Sequence, residues 1–372
     1  MPPTRTLFRR KLPILTLTAV MLTACDARRE SPSVADLPPA QPNAVTIMTF
    51  NVENLFDNVD DPDKADETFL AIEDKQSATH IAACETIEVE RWRNQCLYWD
   101  WSDDVVETKL SVVAAAILQV NDGLGADVIA LQEVENKAIV ERLRNEYLAG
   151  AGYLPTVLIE GRDARGIDVA FLSKLELDGD PTLHTIPFDR DNADRVADTR
   201  GILEATFRLP DGGLLTGFSV HFPAPFHPTE MRAAAYAHLN ALQAALPPDR
   251  PAFAAGDFNT TAAEDREKSM LDRFARPTWT VAHDLGCGDC RGTSYYAPRD
   301  DWSFLDMILW SPARSVNGRG TNTTWRIRAD SVAIANKTAE QVRDDGTPAR
   351  FDLPGGSGVS DHWPMVVTIE TK

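Results

Sequence analysis

Hydrophobic residues recur along most of this chain at the spacings typical of strands and helices. The earliest alternating, β-branched run covers residues 45–50 and predicts a strand. Further short apolar runs predict strands at residues 127–131, 167–172, 202–207, 214–220, 252–255, 304–309 and 365–369. Apolar positions at helical spacing predict helices from residue 107 to about 121, over 137–148 and over 229–246. No break in composition divides this mixture, so we expect one folded domain over residues 45–372.

Two segments depart from this pattern. Residues 57–106 are acidic and aromatic with weak periodicity, and we interpret them as a long insertion in the domain. Residues 25–44 carry four prolines among small and polar residues, which is typical of a flexible or polyproline-like tether.

The N-terminus has the order of an export signal. Four basic residues precede a short apolar run at residues 12–24, which predicts a signal peptide over residues 1–24. Its exit, Leu22-Thr23-Ala24-Cys25, resembles the lipobox of bacterial lipoproteins, in which the cysteine is acylated. The resemblance implies an exported protein held to a membrane only by the lipid on Cys25, facing the periplasm or the cell exterior. The alternative is a plain secretory peptide with an incidental cysteine.

The balance of charge is strongly acidic. The chain of 372 residues has a formal net charge of -19, and removal of residues 1–24 takes away four basic residues and no acidic ones. Such a surface repels nucleic acid at long range, because non-specific binding to phosphate backbones relies on lysine and arginine. The acidity therefore argues against tight DNA binding without excluding a nuclease, and its alternative meaning is simply a soluble surface.

Four of the five cysteines remain once Cys25 is set aside. An even number in an exported protein favours disulfides, and sequence proximity suggests Cys84 with Cys96 and Cys287 with Cys290. The spacing of Cys287 and Cys290 also fits a zinc knuckle. No histidine stands at ligand spacing to either pair, so disulfides are the favoured prediction.

Polar residues follow or interrupt the predicted strands in six places. These are Asn51 with Glu53, Gln132 with Glu133, His221, Asp257 with Asn259, Asp361 with His362, and Asp306 inside its strand. Carboxylates and amides are the side chains that bind Mg²⁺ while leaving positions for water and phosphate. A carboxylate can take a proton from the attacking water, and an imidazole can stabilise the transition-state oxygens. The pattern indicates a metal-dependent phosphoesterase.

Four motifs in this order resemble the endonuclease/exonuclease/phosphatase superfamily, which includes deoxyribonucleases, sphingomyelinases and inositol-polyphosphate phosphatases. They are Thr49-Phe50-Asn51-Val52-Glu53-Asn54-Leu55-Phe56, Leu131-Gln132-Glu133-Val134, Gly256-Asp257-Phe258-Asn259 and Ser360-Asp361-His362-Trp363-Pro364. The first motif and residues 165–172 further resemble bacterial predicted extracellular nucleases. The resemblance implies an α/β fold, a four-layer sandwich in which two mainly antiparallel β-sheets pack face to face with helices outside.

The resemblance also implies a role for each matching residue. Glu133 is the principal metal ligand, with Asn51 and Asp361 beside it, and the cofactor is Mg²⁺, with Mn²⁺ or Ca²⁺ as alternatives. Asp257 orients or deprotonates the attacking water, and Asn259 binds a phosphate oxygen. His362, held by Asp306, contacts the phosphate, and His221 protonates the leaving oxygen. Asn51, Arg200 and Asp168 are candidates for phosphate contact.

Several of these residues also have purely structural interpretations. Glu133 could cap the helix after its strand, and His362 could be a hydrogen-bonded core histidine. The sequence after His221, Phe222-Pro223, departs from the usual polar continuation, and Asp168 could be a strand residue paired with a nearby arginine.

We expect a monomeric hydrolase of phosphodiesters, with nucleic acid as its substrate. The alternatives are a phosphatase or phosphodiesterase acting on small or lipid-derived phosphates, and a non-catalytic binding lipoprotein.

Overall fold

The computed structural model describes residues 43–189, 192, 195, 199–314, 324–353 and 355–371. The predicted signal peptide, the lipidation site Cys25 and all but the last two residues of the tether lie outside the described residues. Within the described part, no helix combines the length and the apolar character that crossing a membrane requires.

Fifteen strands are present in the described residues. They are β1 (Ala44–Leu55), β2 (Val128–Val134), β3 (Val157–Leu158), β4 (Asp168–Ser173), β5 (Thr182–His184), β6 (Ile202–Arg208), β7 (Leu214–His221), β8 (Ala252–Asp257), β9 (Thr280–Val281), β10 (Ser294–Tyr296), β11 (Asp301–Ser303), β12 (Asp306–Ser311), β13 (Trp325–Ile327), β14 (Ala333–Ile334) and β15 (Met365–Thr371).

Most of these strands form two large mixed sheets. The first has the order β13-β15-β1-β2-β4-β3, with β14 also paired to β15, and the second has the order β5-β6-β7-β8-β12-β9. Each sheet has one parallel pair, β1 with β2 and β7 with β8, and its other pairs are antiparallel. Strands β10 and β11 form a separate ribbon.

Seven α-helices accompany the strands in the described residues. They are α1 (Ala78–Glu85), α2 (Glu90–Tyr98), α3 (Asp103–Leu118), α4 (Lys137–Arg142), α5 (Thr229–Ala245), α6 (Ala262–Lys268) and α7 (Ala282–Leu285). A π-helical turn, Leu143–Tyr147, continues α4, so the helix expected over residues 137–148 is present in two parts. Helices α1, α2 and the start of α3 occupy the acidic segment 57–106.

The side chains of the sheets alternate between two faces, as the period of a strand requires. In β1, Ile47 lies in the apolar layer between the sheets, whereas Met48 and Phe50 pack on the opposite face with α3. In the second sheet, Phe253 faces the same central layer and Phe218 packs against α5. Helix, sheet, sheet and helix therefore form four layers, and the fold class expected from the sequence is confirmed.

The strand predictions are right in the sheet centres and incomplete at the edges. The strand expected at residues 304–309 is Asp306–Ser311, and the short strands β3, β5, β9, β10, β11, β13 and β14 were not predicted. Strands of two or three residues carry too few alternating positions to give a period.

The cysteines are paired in the structure as sequence proximity suggested. Cys84 is bonded to Cys96 between α1 and α2, and Cys287 is bonded to Cys290 in the loop after α7. The sulfur atoms are thereby committed to disulfides, and neither pair forms a zinc site.

Candidate active site

Strand register brings three of the candidate residues side by side. In the second sheet, Asp257 at the end of β8 lies opposite His221 of β7 on one side and opposite Asp306 of β12 on the other. In the first sheet, Asn51 of β1 lies opposite Gln132 of β2, the residue before Glu133. The two sheets therefore present their polar strand ends at the same edge of the sandwich.

The backbone bends at the residues that carry the site. Glu53, Glu133 and Asn259 all have positive φ angles, of 52°, 60° and 49°. Glu133 also lies at a β-bulge, because β2 shifts its register against β4 between Gln132 and Val134. Non-glycine residues in this region are uncommon and bulges redirect side chains, so these bends aim polar groups out of the strand alternation.

Asn51 connects the two sheets at this edge. Its Nδ2 atom donates to Glu133 Oε1 and to Asp257 Oδ2, both at 3.2 Å. Its Oδ1 atom accepts the backbone N–H of Glu53 at 3.0 Å. In this arrangement the amide nitrogen, and not the oxygen, faces the carboxylates, so Asn51 positions them and its oxygen is already engaged.

His221 faces the same two carboxylates. Its Nε2 atom lies 3.6 Å from Asp257 Oδ2 and 3.9 Å from Glu133 Oε1. Burial, followed by the positive charges of Arg200, Arg165 and His362, holds the pKa of His221 well below its usual value. The ring is therefore neutral near pH 7.

His362 differs from His221 in its charge state. Its Nδ1 atom lies 2.7 Å from Asp306 Oδ2, and its backbone N–H donates to Ser360 Oγ at 3.0 Å. Burial alone would lower the pKa of the ring, but Asp306, with Asp257 and Asp361, holds that pKa well above its usual value. The carboxylate of Asp306 thus fixes the ring orientation and keeps it protonated, and Nε2 lies 3.8 Å from Asp361 Oδ1.

Asp257 is buried among these charged groups. Its Oδ1 atom accepts the backbone N–H of Asn259 at 2.8 Å. Burial raises the pKa of Asp257 to about 7, and the charges of Asp306 and Glu133 add to the rise while His362 opposes it. A carboxylate with such a pKa can accept a proton near neutral pH, which is the property of a general base. Asn259 donates through Nδ2 to the carbonyl oxygen of Phe222 at 3.0 Å and keeps one N–H of its amide for another acceptor.

A second group of charged side chains surrounds Glu53 and Asp361, and its two cations were not predicted from the sequence. Arg350 binds Glu53 through Nε and lies 3.0 Å from Asp361 Oδ2 through NH2. Lys109, fully buried on α3, donates to the carbonyl oxygen of Val359 at 2.7 Å. Burial raises the pKa of Glu53 to about 7 and lowers that of Lys109 to about 8, and each charge partly offsets the other.

A sequence signal existed for only one of these two cations. Lys109 occupies the apolar face of α3 beside Leu110 and Val113, where a charged residue breaks the helical period. Arg350 stands in a loop without a motif, so nothing local marks it.

Arg200 lies at the margin of the site. Its NH1 atom donates to Asp163 at 3.1 Å and its NH2 atom to the carbonyl oxygen of Phe222 at 3.3 Å. That carbonyl also accepts Asn259, so Arg200 is linked to the site through Phe222. Its buried charge also lowers the pKa of His221, as stated above.

Asp168 is placed differently from the other candidates. It begins β4, and its Oδ1 atom accepts the backbone N–H of Gly161 at 2.8 Å. Among the described residues it forms no hydrogen bond with Glu133, Asp257 or either site histidine. Through its hydrogen bond with Gly161, Asp168 holds the loop before β4.

The donor set fits a hard divalent cation. The carboxylates of Glu133 and Asp361 would supply oxygen ligands, of the kind that Mg²⁺ and Mn²⁺ accept. The side chain of Glu133 is 21% exposed whereas that of Asp257 is 2% exposed, so Glu133 is the carboxylate open to an entering ion. Asp361, 40% exposed, is already paired with Arg350.

Comparison with known proteins supports this reading of the fold. A model of the endonuclease/exonuclease/phosphatase family matches residues 93–362. Similar solved structures include a D. rerio TDP2 humanized by 14 mutations, with 15% identity, 88% of this chain and 99% of that chain covered, and a TM-score of 0.53. An endonuclease/exonuclease/phosphatase from Bacteroides vulgatus has 18% identity, coverage of 88% and 99%, and a TM-score of 0.51. Another from Beutenbergia cavernae DSM 12333 has 16% identity, coverage of 88% and 72%, and a TM-score of 0.50.

Identities this low establish the fold alone. A search of curated proteins found no match. The family model, however, spans well over half of the chain, and members of its family are hydrolases, typically metal-dependent phosphoesterases. With the four-layer fold and the motif residues converging at one sheet edge, this chain belongs to the endonuclease/exonuclease/phosphatase family.

Proposed function

We propose that this protein hydrolyses phosphodiester bonds with the help of a divalent metal ion, and that it acts as an exported nuclease. The observation that carries the proposal is the junction at Asn51, which bridges Glu133 and Asp257, with His221 facing both carboxylates and His362 held by Asp306 on the strand next to Asp257. The resemblance of residues 165–172 to bacterial predicted extracellular nucleases favours a nucleic acid substrate.

Glu133 would hold the metal ion, with Asp361 as a further ligand. Bound there, Mg²⁺ would screen the phosphate charge and lower the pKa of a water. Asn51 keeps the two carboxylates at a fixed separation through its amide nitrogen, which limits the reorganisation needed when substrate arrives.

Asp257 is the base in this proposal. It takes a proton from the attacking water as the water oxygen bonds to phosphorus and the ester P–O bond breaks. The free N–H of Asn259 and the charged ring of His362 then donate hydrogen bonds to the phosphate oxygens, where negative charge grows. Each donor is already anchored, Asn259 by the Phe222 carbonyl and His362 by Asp306, so little ordering remains to be done on binding.

His221 is suited to the leaving oxygen through hydrogen bonding. Because its pKa is depressed, the ring is neutral in the free protein and holds no spare proton at pH 7. The N–H of the neutral ring can still stabilise the leaving oxygen by a hydrogen bond. The ring becomes an acid only after it accepts a proton, which Asp257, 3.6 Å away, can supply.

The first test is metal-dependent nicking of plasmid DNA. Purified protein should nick plasmid with Mg²⁺ or Mn²⁺, and Glu133→Ala should reduce the rate by about two orders of magnitude or more, because it removes the exposed carboxylate that faces the ion. Asp330→Ala, which removes a carboxylate whose side chain is 85% exposed, is the matched control and should leave the rate unchanged. Activity that persists after all divalent metal is removed would refute the mechanism.

A second candidate is hydrolysis of a small or lipid-derived phosphoester. The net charge of -19 favours it, since an acidic surface weakens the attraction of a long polyanion but affects a single phosphate less. Rates measured on plasmid DNA, RNA, bis-p-nitrophenyl phosphate, inositol phosphates and sphingomyelin under one set of metal conditions separate the two. A preference for a monoester or for the lipid would decide for this second candidate.

A further inference from the structure

A separate group of carboxylates lies beside the sheet edge, in what we call the acidic loop, residues 57–66, and in the turn after β2. One carboxylate oxygen from each of Asp61, Asp66 and Glu135 lies within 4.8 Å of the others. None of the three belongs to the candidate active site. Asp66 and Glu135 are almost fully buried, with 2% and 1% of their surface exposed.

Two oxygens of this group have no protein partner. Asp66 Oδ1 and Glu135 Oε1 are buried and accept no hydrogen bond from the described residues. Their companion oxygens are engaged, since Asp66 Oδ2 accepts the N–H of Asp61 at 3.0 Å and Glu135 Oε2 accepts the N–H of Asp57 at 2.7 Å. Each carboxylate is thus fixed in place through one oxygen and presents the other without a donor.

No cation of the described residues neutralises the group. Lys64, the lysine of the acidic loop, donates its Nζ atom to the carbonyl oxygen of Asp163 at 3.1 Å. None of the described salt bridges involves Asp61, Asp66 or Glu135. Buried carboxylates without a partner are costly, and proteins resolve the cost by pairing the charge, by binding a metal or by taking up a proton.

We propose that Asp61, Asp66 and Glu135 form a binding site for a divalent cation of the Ca²⁺ type, separate from the catalytic metal. Calcium–oxygen distances are about 2.3–2.6 Å, so two oxygens on one ion can lie up to about 5 Å apart, and the three oxygens, all within 4.8 Å of one another, meet this limit. The donors are oxygens alone, which disfavours zinc and copper. Ca²⁺ fits better than Mg²⁺ because a loop and a turn supply irregular ligands, whereas Mg²⁺ demands a near-ideal octahedron.

The position of the site gives the ion a structural task. The acidic loop leaves the end of β1, and Glu135 follows Glu133 by two residues at the end of β2. The N–H of Glu135 already donates to the carbonyl oxygen of Leu55 at 3.1 Å. An ion held there would join the segments after both strands and so stiffen the support of Asn51 and Glu133.

The test measures thermal unfolding and calorimetric Ca²⁺ binding of the full-length protein, first freed of metal with chelator. Four proteins are compared: wild type, Glu133→Gln, the double variant Asp66→Asn/Glu135→Gln, and Asp60→Asn. Asp60 is an exposed acid of the same loop, so its amide variant is the matched control for charge. Glu133→Gln removes the proposed catalytic ligand, so any Ca²⁺ effect it keeps belongs elsewhere.

Saturating Ca²⁺ should raise the Tm of wild type, Glu133→Gln and Asp60→Asn by about 3 °C or more, as ligand linkage predicts. The double variant should lose this rise and the binding heat that accompanies it. In chelator alone the double variant should unfold no lower than wild type, because a buried amide needs no counter-charge.

Two results would overturn the proposal. The first is wild type and Glu133→Gln without any Ca²⁺-dependent rise in Tm. The second is a rise of equal size in the double variant, which would place the ion at other residues.

Discussion

Two histidines in one small site differ in charge because their immediate neighbours differ. His362 has a carboxylate, Asp306, on its Nδ1 atom, whereas His221 has no hydrogen-bond partner on Nδ1 among the described residues and feels Arg200 and Arg165. Burial disfavours the charged form of both rings, and only His362 has the counter-charge that overcomes it. A site that holds one protonated and one unprotonated histidine can donate and accept protons at the same pH.

Asp306→Asn tests this arrangement through the pH profile of kcat/KM. Under the proposed mechanism, the activity of the wild type should rise as Asp257, with a pKa of about 7, loses its proton, and should fall at high pH when His362 loses its own. The carboxylate of Asp306 raises the pKa of His362, so the amide must lower it. The alkaline limb should therefore move to lower pH by about one unit or more, since an adjacent opposite charge shifts a pKa by that amount.

Asp330→Asn is the comparison for this profile, since it also removes one negative charge but from an exposed surface position. Its alkaline limb should coincide with that of the wild type. An unchanged limb in Asp306→Asn would mean that Asp306 does not hold the charge on His362.

At the scale of elements, the catalytic groups depend on how closely two strands approach. Gly256 precedes Asp257 in β8, and a Cβ atom added there would collide with the carbonyl oxygen of Val220 in β7. The same two strands carry Asp257 and His221 opposite each other. The glycine is therefore required for the approach of the strands and, through it, for the position of Asp257, the proposed base.

Gly256→Ala should lower both stability and activity. The backbone of β7 must move to admit the methyl group, at a cost of about 1–3 kcal/mol as for other overpacked sites. Denaturant unfolding should show the loss in free energy, and kcat should fall because Asp257 shifts against Asn51 and His221.

Gly288→Ala is the control, because a Cβ atom there meets no atom within 4 Å. It should leave the unfolding free energy and kcat close to wild type. If Gly256→Ala behaved in the same way, the close approach of β7 and β8 would not limit the site.

At the scale of the whole molecule, two cations from distant parts of the chain meet the same pair of carboxylates. Lys109 comes from α3 and Arg350 from a loop more than two hundred residues later, yet both act on Glu53 and Asp361. The two cations offset part of the negative charge of Glu53 and Asp361. The carboxylate of Glu133 is left for a metal ion. The excess of acidic residues otherwise favours solubility over attraction to nucleic acid.

The proposed membrane anchor is also a property of the whole chain. Cys25→Ser removes the only thiol of the lipobox-like exit Leu22-Thr23-Ala24-Cys25, so the protein should no longer incorporate labelled fatty acid and should leave the membrane fraction. The proposed nuclease activity per molecule should be unchanged, because the candidate site residues lie between 51 and 362. Labelling of Cys25→Ser equal to wild type would contradict the lipoprotein proposal, and activity lost with the anchor would make the membrane part of the catalytic function.

The sequence by itself determined the layers and the residues that end the central strands. Long alternating runs such as Val45–Phe50 need only local information, because side chains in a strand change face at every residue. Motif order identified Asn51, Glu133, Asp257, Asn259 and His362 as one set. Short edge strands such as β13 and β14 were not predicted, because they are defined by their pairing with β15 and have no periodic pattern of their own.

Only the tertiary structure decided how those residues act on one another. The hydrogen bond from Asn51 to Asp257 and the ion pair of Arg350 with Glu53 each join segments separated by more than a hundred residues. The different charge states of His221 and His362 likewise depend on neighbours from distant segments. Such contacts depend on strand register and sheet packing, which no local pattern encodes. For the same reason Asp168, a plausible site residue in the sequence, lies against Gly161, and the acidic loop meets Glu135.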